Sequence, residues 1–298
     1  MMVEKIGSLL WRSIQIKKRR NGKNIGWISL FLAIGFFCLQ MGFLLVQNRF
    51  QVEYVDDRLF YFINIVCVLF LASALLCFIT ISKKWKWLGA TIVIIFVMVN
   101  VFLLVKHNQE IQNFTRLSAD MNHILSLKQN KETGEVIYYR SIYGMLARPK
   151  EKLPGKIAGT SKIKWLENDI AAITYRTRDQ KLQQFIATYG DRGSGSYYYV
   201  GAEIYGQWHG NGATVIGDTN GITVIKDGKT ELFDWDHVIQ YGTLAIVLME
   251  NDEAAWTISL NKNFRIHSEG PPSGEIRLYQ ATMEKNKPIT LLNSRENL

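Results

Sequence analysis

The sequence predicts a membrane protein with a helical N-terminal third and an all-β remainder. Three apolar stretches, residues 25–46, 59–81 and 88–105, contain no Asp, Glu, Lys or Arg. A helix that rises about 1.5 Å per residue needs roughly 20 apolar residues to cross a hydrocarbon core of about 30 Å. Beyond Gly134 the hydrophobic pattern alternates every two residues, and turn-forming residues recur. We therefore expect three transmembrane helices and an antiparallel β domain, arranged as a sandwich or a propeller-like meander.

Residues 1–24 precede the first apolar stretch and are rich in Lys and Arg. Their apolar residues recur at helical spacing, which predicts an amphipathic helix lying on anionic lipid at the cytoplasmic face. These residues are Ile6, Leu9, Leu10 and Ile14. A disordered basic tail is the alternative. The first stretch is longer than a signal-peptide core and lacks small residues at its end, so we expect an uncleaved signal anchor.

The positive charge of the chain follows its topology. Residues 1–105 carry 12 basic and 4 acidic residues, whereas residues 106–298 carry 23 and 22. The basic residues cluster before the first stretch and between the second and third, which places those ends in the cytoplasm and the C-terminal domain outside the cell membrane. Because the outer domain is nearly neutral, we expect no nucleic-acid partner.

Cysteine and histidine positions exclude two common kinds of site. Cys38, Cys67 and Cys77 all lie in the apolar stretches, so the outer domain has no disulfide. The five histidines lack the close spacing of zinc ligands, and we expect no metal and no cofactor. A large exported domain without cysteine is commoner in bacterial envelopes than in eukaryotic secretion, which favours a bacterial source.

Three amides interrupt the apolar stretches at similar depth. Gln40, Asn64 and Asn100 each lie five or six residues from the predicted outer end of their helix. Buried amides in a membrane form hydrogen bonds between helices, so they predict contacts within a three-helix bundle. The alternative is a polar lining for a small ligand or a partner helix.

Apolar residues continue at steps of three and four beyond the third stretch, which predicts a helical stalk over residues 106–128. Its apolar stripe would pack on the outer domain or on the stripe of a second subunit, giving a homo-oligomer. The β domain is expected over residues 130–298, with one strand at Tyr197–Ile204 and hairpin turns at Asp227-Gly228 and Asn251-Asp252.

The densest polar and aromatic stretch lies between Gly190 and Gly221. Tyr and Trp offer rigid contact area and Gly lets loops adapt, so Tyr205, Trp208 and His209 are the candidate partner-binding residues. In the alternative interpretation, alternate aromatic residues of this stretch belong to the core.

A second polar stretch contains Asp234, Asp236 and His237, which could perform acid-base chemistry from a strand or form a simple turn. No hydrolase elbow, P-loop or metalloprotease motif accompanies it. We expect a binding module that recognises a partner protein or an envelope component without catalysis. An envelope enzyme acting on glycan or peptide, and an accessory subunit of a membrane complex, are the alternatives.

Overall fold

The computed structural model describes residues 2–79, 82–190, 192, 199–267 and 270–294, and the side chains from residue 23 onward. Three long helices come first: α1 (Met2–Phe50), α2 (Arg58–Phe78) and α3 (Lys83–Glu110). Each contains a segment long and apolar enough to cross a membrane. The three predicted membrane helices are therefore confirmed. The predicted apolar face of the N-terminal tail and the last two residues of the second predicted span lie outside this description.

The chain divides into two compact units. The membrane unit consists of Met1–Asn113 and Met145–Arg148, and the β domain of Phe114–Gly144 and Pro149–Leu298. In the membrane unit, the two-residue strand β1 (Glu53–Tyr54) pairs with Leu146 and Ala147.

Small residues let α1 and α2 approach closely. A Cβ atom at Gly26 would lie 2.8 Å from the Cβ of Cys77, a distance that real Cβ atoms essentially never show. One helical turn further, the hydroxyls of Ser29 and Ser73 are 3.3 Å apart. Close backbone approach through small residues is how helices gain packing energy in lipid, where the hydrophobic effect between them is lost.

In the described part of the chain beyond α3, sixteen further strands and one short α-helix follow. They are β2 (Ile111–Leu117), β3 (Ile124–Asn130), β4 (Val136–Ile142), β5 (Leu146–Lys152), β6 (Ile157–Glu167), β7 (Ile170–Thr177), β8 (Leu182–Thr188), α4 (Val200–Glu203), β9 (Gly206–Gly210), β10 (Ala213–Asp218), β11 (Gly221–Lys226), β12 (Lys229–Phe233), β13 (Val238–Tyr241), β14 (Ala245–Glu250), β15 (Glu253–Leu260), β16 (Glu275–Gln280) and β17 (Ile289–Asn293). All strand pairs whose register is known are antiparallel, which confirms the predicted fold class.

The largest sheet has nine strands in the order β12-β11-β10-β9-β17-β16-β15-β14-β13. Its two edge strands, β12 and β13, are consecutive in the chain and are joined by a 3-10 turn, Trp235–His237. Apolar side chains from both halves of the sheet, including Val224 and Ile258, meet in one core. The indole Nε1 of Trp256 also donates to the carboxylate of Glu231 across this core at 2.6 Å. The sheet is therefore curled nearly into a barrel.

A three-stranded sheet, β6-β7-β8, covers the outside of this curled sheet. Strand β14 is buried on both faces, because Ala245 and Val247 face the outer core and Ile246 and Leu248 the inner one. Between the two sheets, the amide of buried Gln184 donates to Thr174 Oγ1 at 2.7 Å and accepts from the hydroxyl of Thr257. A satisfied polar group thus fixes how the layers are placed.

The predicted helical stalk over residues 106–128 is wrong. Helix α3 ends at Glu110, and the segment beyond it forms β2, a turn and β3. The turn is closed by Ser118, whose N–H donates to the carbonyl of His123 at 2.9 Å and whose hydroxyl donates to Asp120 at 2.6 Å. Leu125 and Leu127 are fully buried in the β domain, whereas Leu117 and Met121 remain exposed, so the residues of the predicted stripe do not share one helical face.

The predicted strand Tyr197–Ile204 is also wrong in its described part. Residues Val200–Glu203 form α4, because Val200 and Ile204 lie one helical turn apart and are both fully buried. Tyr197 and Tyr198 lie outside the described residues. The hairpin turns are confirmed: Asp227, Gly228, Asn251 and Asp252 all have positive φ, as tight antiparallel turns require.

Candidate functional site

The β domain contains a groove of about 690 Å³, here called the β9 groove. Its floor and walls come from the end of α4, the segment leading into β9, strand β10, the loop between β15 and β16, and the residues that end β17. Its lining includes Glu203, Tyr205, Gln207, Ile216, His267 and Ser294. Its size falls within the range of about 300–1,000 Å³ that is typical of small-ligand sites.

Helix α4 shapes one end of the groove. Its carbonyl at Ile204 accepts a hydrogen bond from the indole Nε1 of Trp208 at 2.9 Å, which satisfies a group that the helix end leaves unpaired. The chain then turns at Gly206, whose φ of +110° favours glycine. A Cβ atom at Gly217 would lie 2.9 Å from the Ile204 carbonyl oxygen, so glycine also lets β10 pass close beneath.

The opposite wall is the loop between β15 and β16. Arg265 and Ser273 exchange two backbone hydrogen bonds of 3.0 Å, which close its base. His267 Nε2 lies 2.7 Å from the hydroxyl of Ser273, and the side chain of Asn293 donates to the carbonyl of Pro272 at 3.2 Å. These hydrogen bonds join the described residues of the wall to one another and to the end of β17.

The described lining of the groove carries little charge. Among the described residues no Lys or Arg lines it, and Glu203 supplies its one carboxyl group. Partial burial raises the pKa of Glu203, because removal from water disfavours the charged form. The described lining therefore offers hydrogen-bonding groups and an aromatic ring, and none of its described residues is a Lys or Arg that could pair with an anionic ligand.

The three predicted partner-binding residues have different surroundings. Tyr205 lines the groove and is 57% exposed, as an aromatic anchor should be. Trp208 is 0% exposed and stacks on Phe264, with ring centroids 5.9 Å apart, so its prediction as an exposed anchor is wrong. His209 follows Trp208 in β9, so its side chain points to the opposite face of the sheet, where it is exposed. It lies outside the groove, and its Nδ1 is 2.8 Å from the Thr214 hydroxyl.

The sequence did not indicate the groove residues that lie far along the chain. Glu203 and Gln207 lie in the aromatic stretch between Gly190 and Gly221, but His267 and Ser294 carry no motif. The Gly270-Pro271-Pro272 segment marked a shaped loop. Nothing in its sequence indicated that this loop would face Tyr205.

The second polar stretch forms a turn, as one of its two interpretations predicted. Asp234, Asp236 and His237 are all exposed around the 3-10 turn. His237 Nδ1 lies 2.5 Å from Asp234 Oδ1, and this hydrogen bond lowers the pKa of Asp234 and raises that of His237. The pair faces a smaller cleft of about 370 Å³. Within the described part of the chain, no group of three His, Cys, Asp or Glu side chains could hold a metal ion.

The three membrane amides also differ in their contacts. Asn64 and Asn100 meet between α2 and α3, with the Asn64 Nδ2 to Asn100 Oδ1 distance at 3.5 Å. Asn100 is 5% exposed on a helix whose surface is otherwise largely open. Gln40 instead accepts a hydrogen bond from the Tyr54 hydroxyl at 3.1 Å. The expected helix-to-helix contact therefore forms for Asn64 and Asn100, whereas Gln40 binds the segment that follows α1.

Comparison of the chain with models of known protein families gives no match, and comparison with curated protein sequences gives none either. The features of the molecule that bear on its function are the β9 groove and the membrane helices.

Proposed function

We propose that this chain is a membrane-anchored binding protein, whose β domain recognises a neutral, hydrogen-bonding partner through the β9 groove. The observation that carries the proposal is that the exposed ring of Tyr205 and the carboxyl of Glu203 line one groove, to which no Lys or Arg of the described residues contributes. Aromatic anchors surrounded by polar groups are the usual energetic centres of recognition sites. A neutral glycan of the cell envelope or an uncharged segment of a partner protein has this chemistry.

The proposal includes an orientation in the cell membrane. Lys and Arg concentrate at the N-terminal end of α1 and between α2 and α3, and such residues remain on the cytoplasmic side. The β domain then faces the outside of a bacterial cell, and α1 acts as an uncleaved signal anchor. A binding domain in this position samples the envelope, while the helices hold it at the membrane.

The orientation predicts the behaviour of reporter fusions. Alkaline phosphatase fused after Leu298 should be active, because this enzyme folds only outside the cytoplasm. A cytoplasm-dependent fluorescent protein at the same position should be dark. A fusion within the loop at Ser82, between α2 and α3, serves as the matched control and should give the opposite pattern. Fluorescence of the C-terminal fusion together with an inactive phosphatase would contradict the orientation.

The groove makes a separate prediction about binding. Tyr205→Ala should weaken binding of the whole chain to its envelope partner by about tenfold or more, because a central aromatic anchor contributes about 2 kcal/mol or more. The measurement has two arms: co-sedimentation of the purified protein with isolated cell walls, and photo-cross-linking in cells from a reactive amino acid placed at Gln207, which is exposed and lines the groove. Co-sedimentation detects binding to a glycan of the cell wall, and cross-linking detects binding to a partner protein.

His209→Ala is the matched control, because His209 is exposed two residues from Gln207 but lies outside the groove. It should leave both readouts unchanged. Equal loss of binding in Tyr205→Ala and His209→Ala, or unchanged binding in both, would place the recognition surface elsewhere.

A further inference from the structure

The membrane unit has an apolar cleft of about 630 Å³ between α2 and α3, here called the lysine cleft. Helix α2 contributes Val68, Ala72 and Leu75, and helix α3 contributes Gly89 and Val93 among others. Lys86 lies at one end and is the charged residue of the lining. The cleft is open because small side chains stand where larger ones would fill it. A Cβ atom at Gly89 would have no neighbouring atom within 4 Å.

The lysine cleft is about as long as one leaflet of a bilayer. On α3 its lining runs from Trp85 to Phe96, which at 1.5 Å per residue spans roughly 16 Å. Half of a hydrocarbon core of about 30 Å is about 15 Å. The cleft therefore reaches from the membrane surface, marked by Trp85 and Lys86, to about the centre of the bilayer.

Beyond that depth α2 and α3 are joined. Asn64 and Asn100 meet at 3.5 Å, and further along His107 Nε2 lies 3.2 Å from Asp57 Oδ2. The cleft therefore lies between these contacts and the end of the helix pair that carries the lysines. A transmembrane helix from another subunit would need a seam along its whole length, with axes about 8–10 Å apart. The lysine cleft is about half the thickness of the hydrocarbon core, which fits a single extended acyl chain.

Charge at the mouth of the cleft determines which lipid fits. Lys83 and Lys84 precede Lys86, and between Arg58 and Lys106 the sequence contains no Asp or Glu. All three lysines are exposed. The mouth is therefore cationic without local compensation, and basic groups at a helix junction attract anionic headgroups by electrostatics.

We propose that the lysine cleft is a binding site for one anionic phospholipid, whose acyl chain fills the space over Gly89 and whose phosphate contacts Lys86. Burial of the chain in place of bulk lipid gives little hydrophobic energy, since both surroundings are apolar. Selectivity then comes from the charged headgroup and from the fit of the chain. The proposed lipid site is independent of the β9 groove. The proposal does not depend on the identity of the partner that the β domain binds.

The test uses the whole chain purified in detergent with an equal mixture of phosphatidylglycerol and phosphatidylcholine that carry identical acyl chains. Native mass spectrometry counts the lipids that stay bound. We expect one retained lipid per chain, with phosphatidylglycerol preferred by about tenfold or more. Equal retention of the two lipids would overturn the proposal.

Two substitutions separate the acyl chain from the headgroup. Gly89→Leu should fill the cleft and reduce retention by about tenfold, whereas Gly35→Leu is its matched control, because a Cβ atom at Gly35 also has no neighbour within 4 Å but lies on α1 away from the cleft. Lys86→Gln should lower the preference for phosphatidylglycerol about fivefold, and Lys106→Gln at the other end of α3 should not.

The same spectra report the competing occupant. If the chain without bound lipid is a dimer that Gly89→Leu converts to a monomer, a second copy fills the cleft and the proposal is wrong. Retention in Gly89→Leu that equals that in Gly35→Leu would also exclude the cleft as the lipid site.

Discussion

Trp208→Ala is expected to destabilise the β domain by about 3–5 kcal/mol, the usual cost of removing a buried Trp side chain from a core. The indole is fully buried, packs on Phe264 and donates its N–H to the Ile204 carbonyl. Alanine leaves a cavity and an unpaired carbonyl at the end of α4. Since domains are stable by only about 5–15 kcal/mol, much of the fold's stability would be lost.

The measurement is pulse proteolysis of the whole chain in detergent across a urea series. The readout is the fraction of the β domain that survives the protease. Tyr205→Ala and His209→Ala serve as controls and should stay within about 0.5 kcal/mol of the parent, because both side chains are exposed. A Trp208→Ala variant as stable as these controls would contradict the buried position of Trp208. It would instead favour the prediction that Trp208 is an exposed partner-binding residue.

Gln184→Leu should destabilise the domain by about 2–4 kcal/mol even though leucine is more hydrophobic. The hydroxyls of Thr174 and Thr257 are fully buried, and each forms a hydrogen bond with the Gln184 side chain. The substitution therefore removes this partner from both hydroxyls. A buried polar group that loses its partner costs about 1–3 kcal/mol. The two sheets would still have an apolar surface between them, but they would lose the side-chain hydrogen bond from Thr257 of β15 to Gln184 of β8 that joins them.

Gln183→Leu is the matched control for this prediction. The neighbouring side chain faces the opposite side of β8 and donates to the carbonyl of Asp252 at 2.6 Å in an exposed position. Its loss should cost about 1 kcal/mol or less. The same urea series compares the two variants, and equal destabilisation would show that the buried network has no special weight.

The membrane helices could be predicted from the sequence because hydropathy and length decide that question alone. The β hairpins could be predicted wherever the turn itself carried the signal, as at Asp227-Gly228 and Asn251-Asp252. The prediction of a helical stalk was wrong because the spacing of Ile111, Phe114 and Leu117 matches that of a helix by coincidence. Strand β3 is buried on both faces and therefore shows no alternation. The polar turn near Asp120 was the signal that could have corrected it.

The candidate site could be predicted only in part. Local composition identified Tyr205 but assigned Trp208 to the same surface, because one sequence cannot distinguish the two faces of a strand whose register is unknown. His267 and Ser294 reach the groove through pairing of β9 with β17. That pairing joins residues more than eighty positions apart, and no local pattern encodes it.

The position of β17 also determines when the β domain can be completed. The meanders β9 to β12 and β13 to β16 consist of neighbouring strands, so each can form soon after its residues are synthesised. They become one sheet only when β17 pairs with β9 on one side and β16 on the other. Until then β9 and β16 are unpaired edges, open to incorrect pairing with other chains. The time from the synthesis of β9 to that of β17 is therefore the interval in which this protein is most exposed to aggregation.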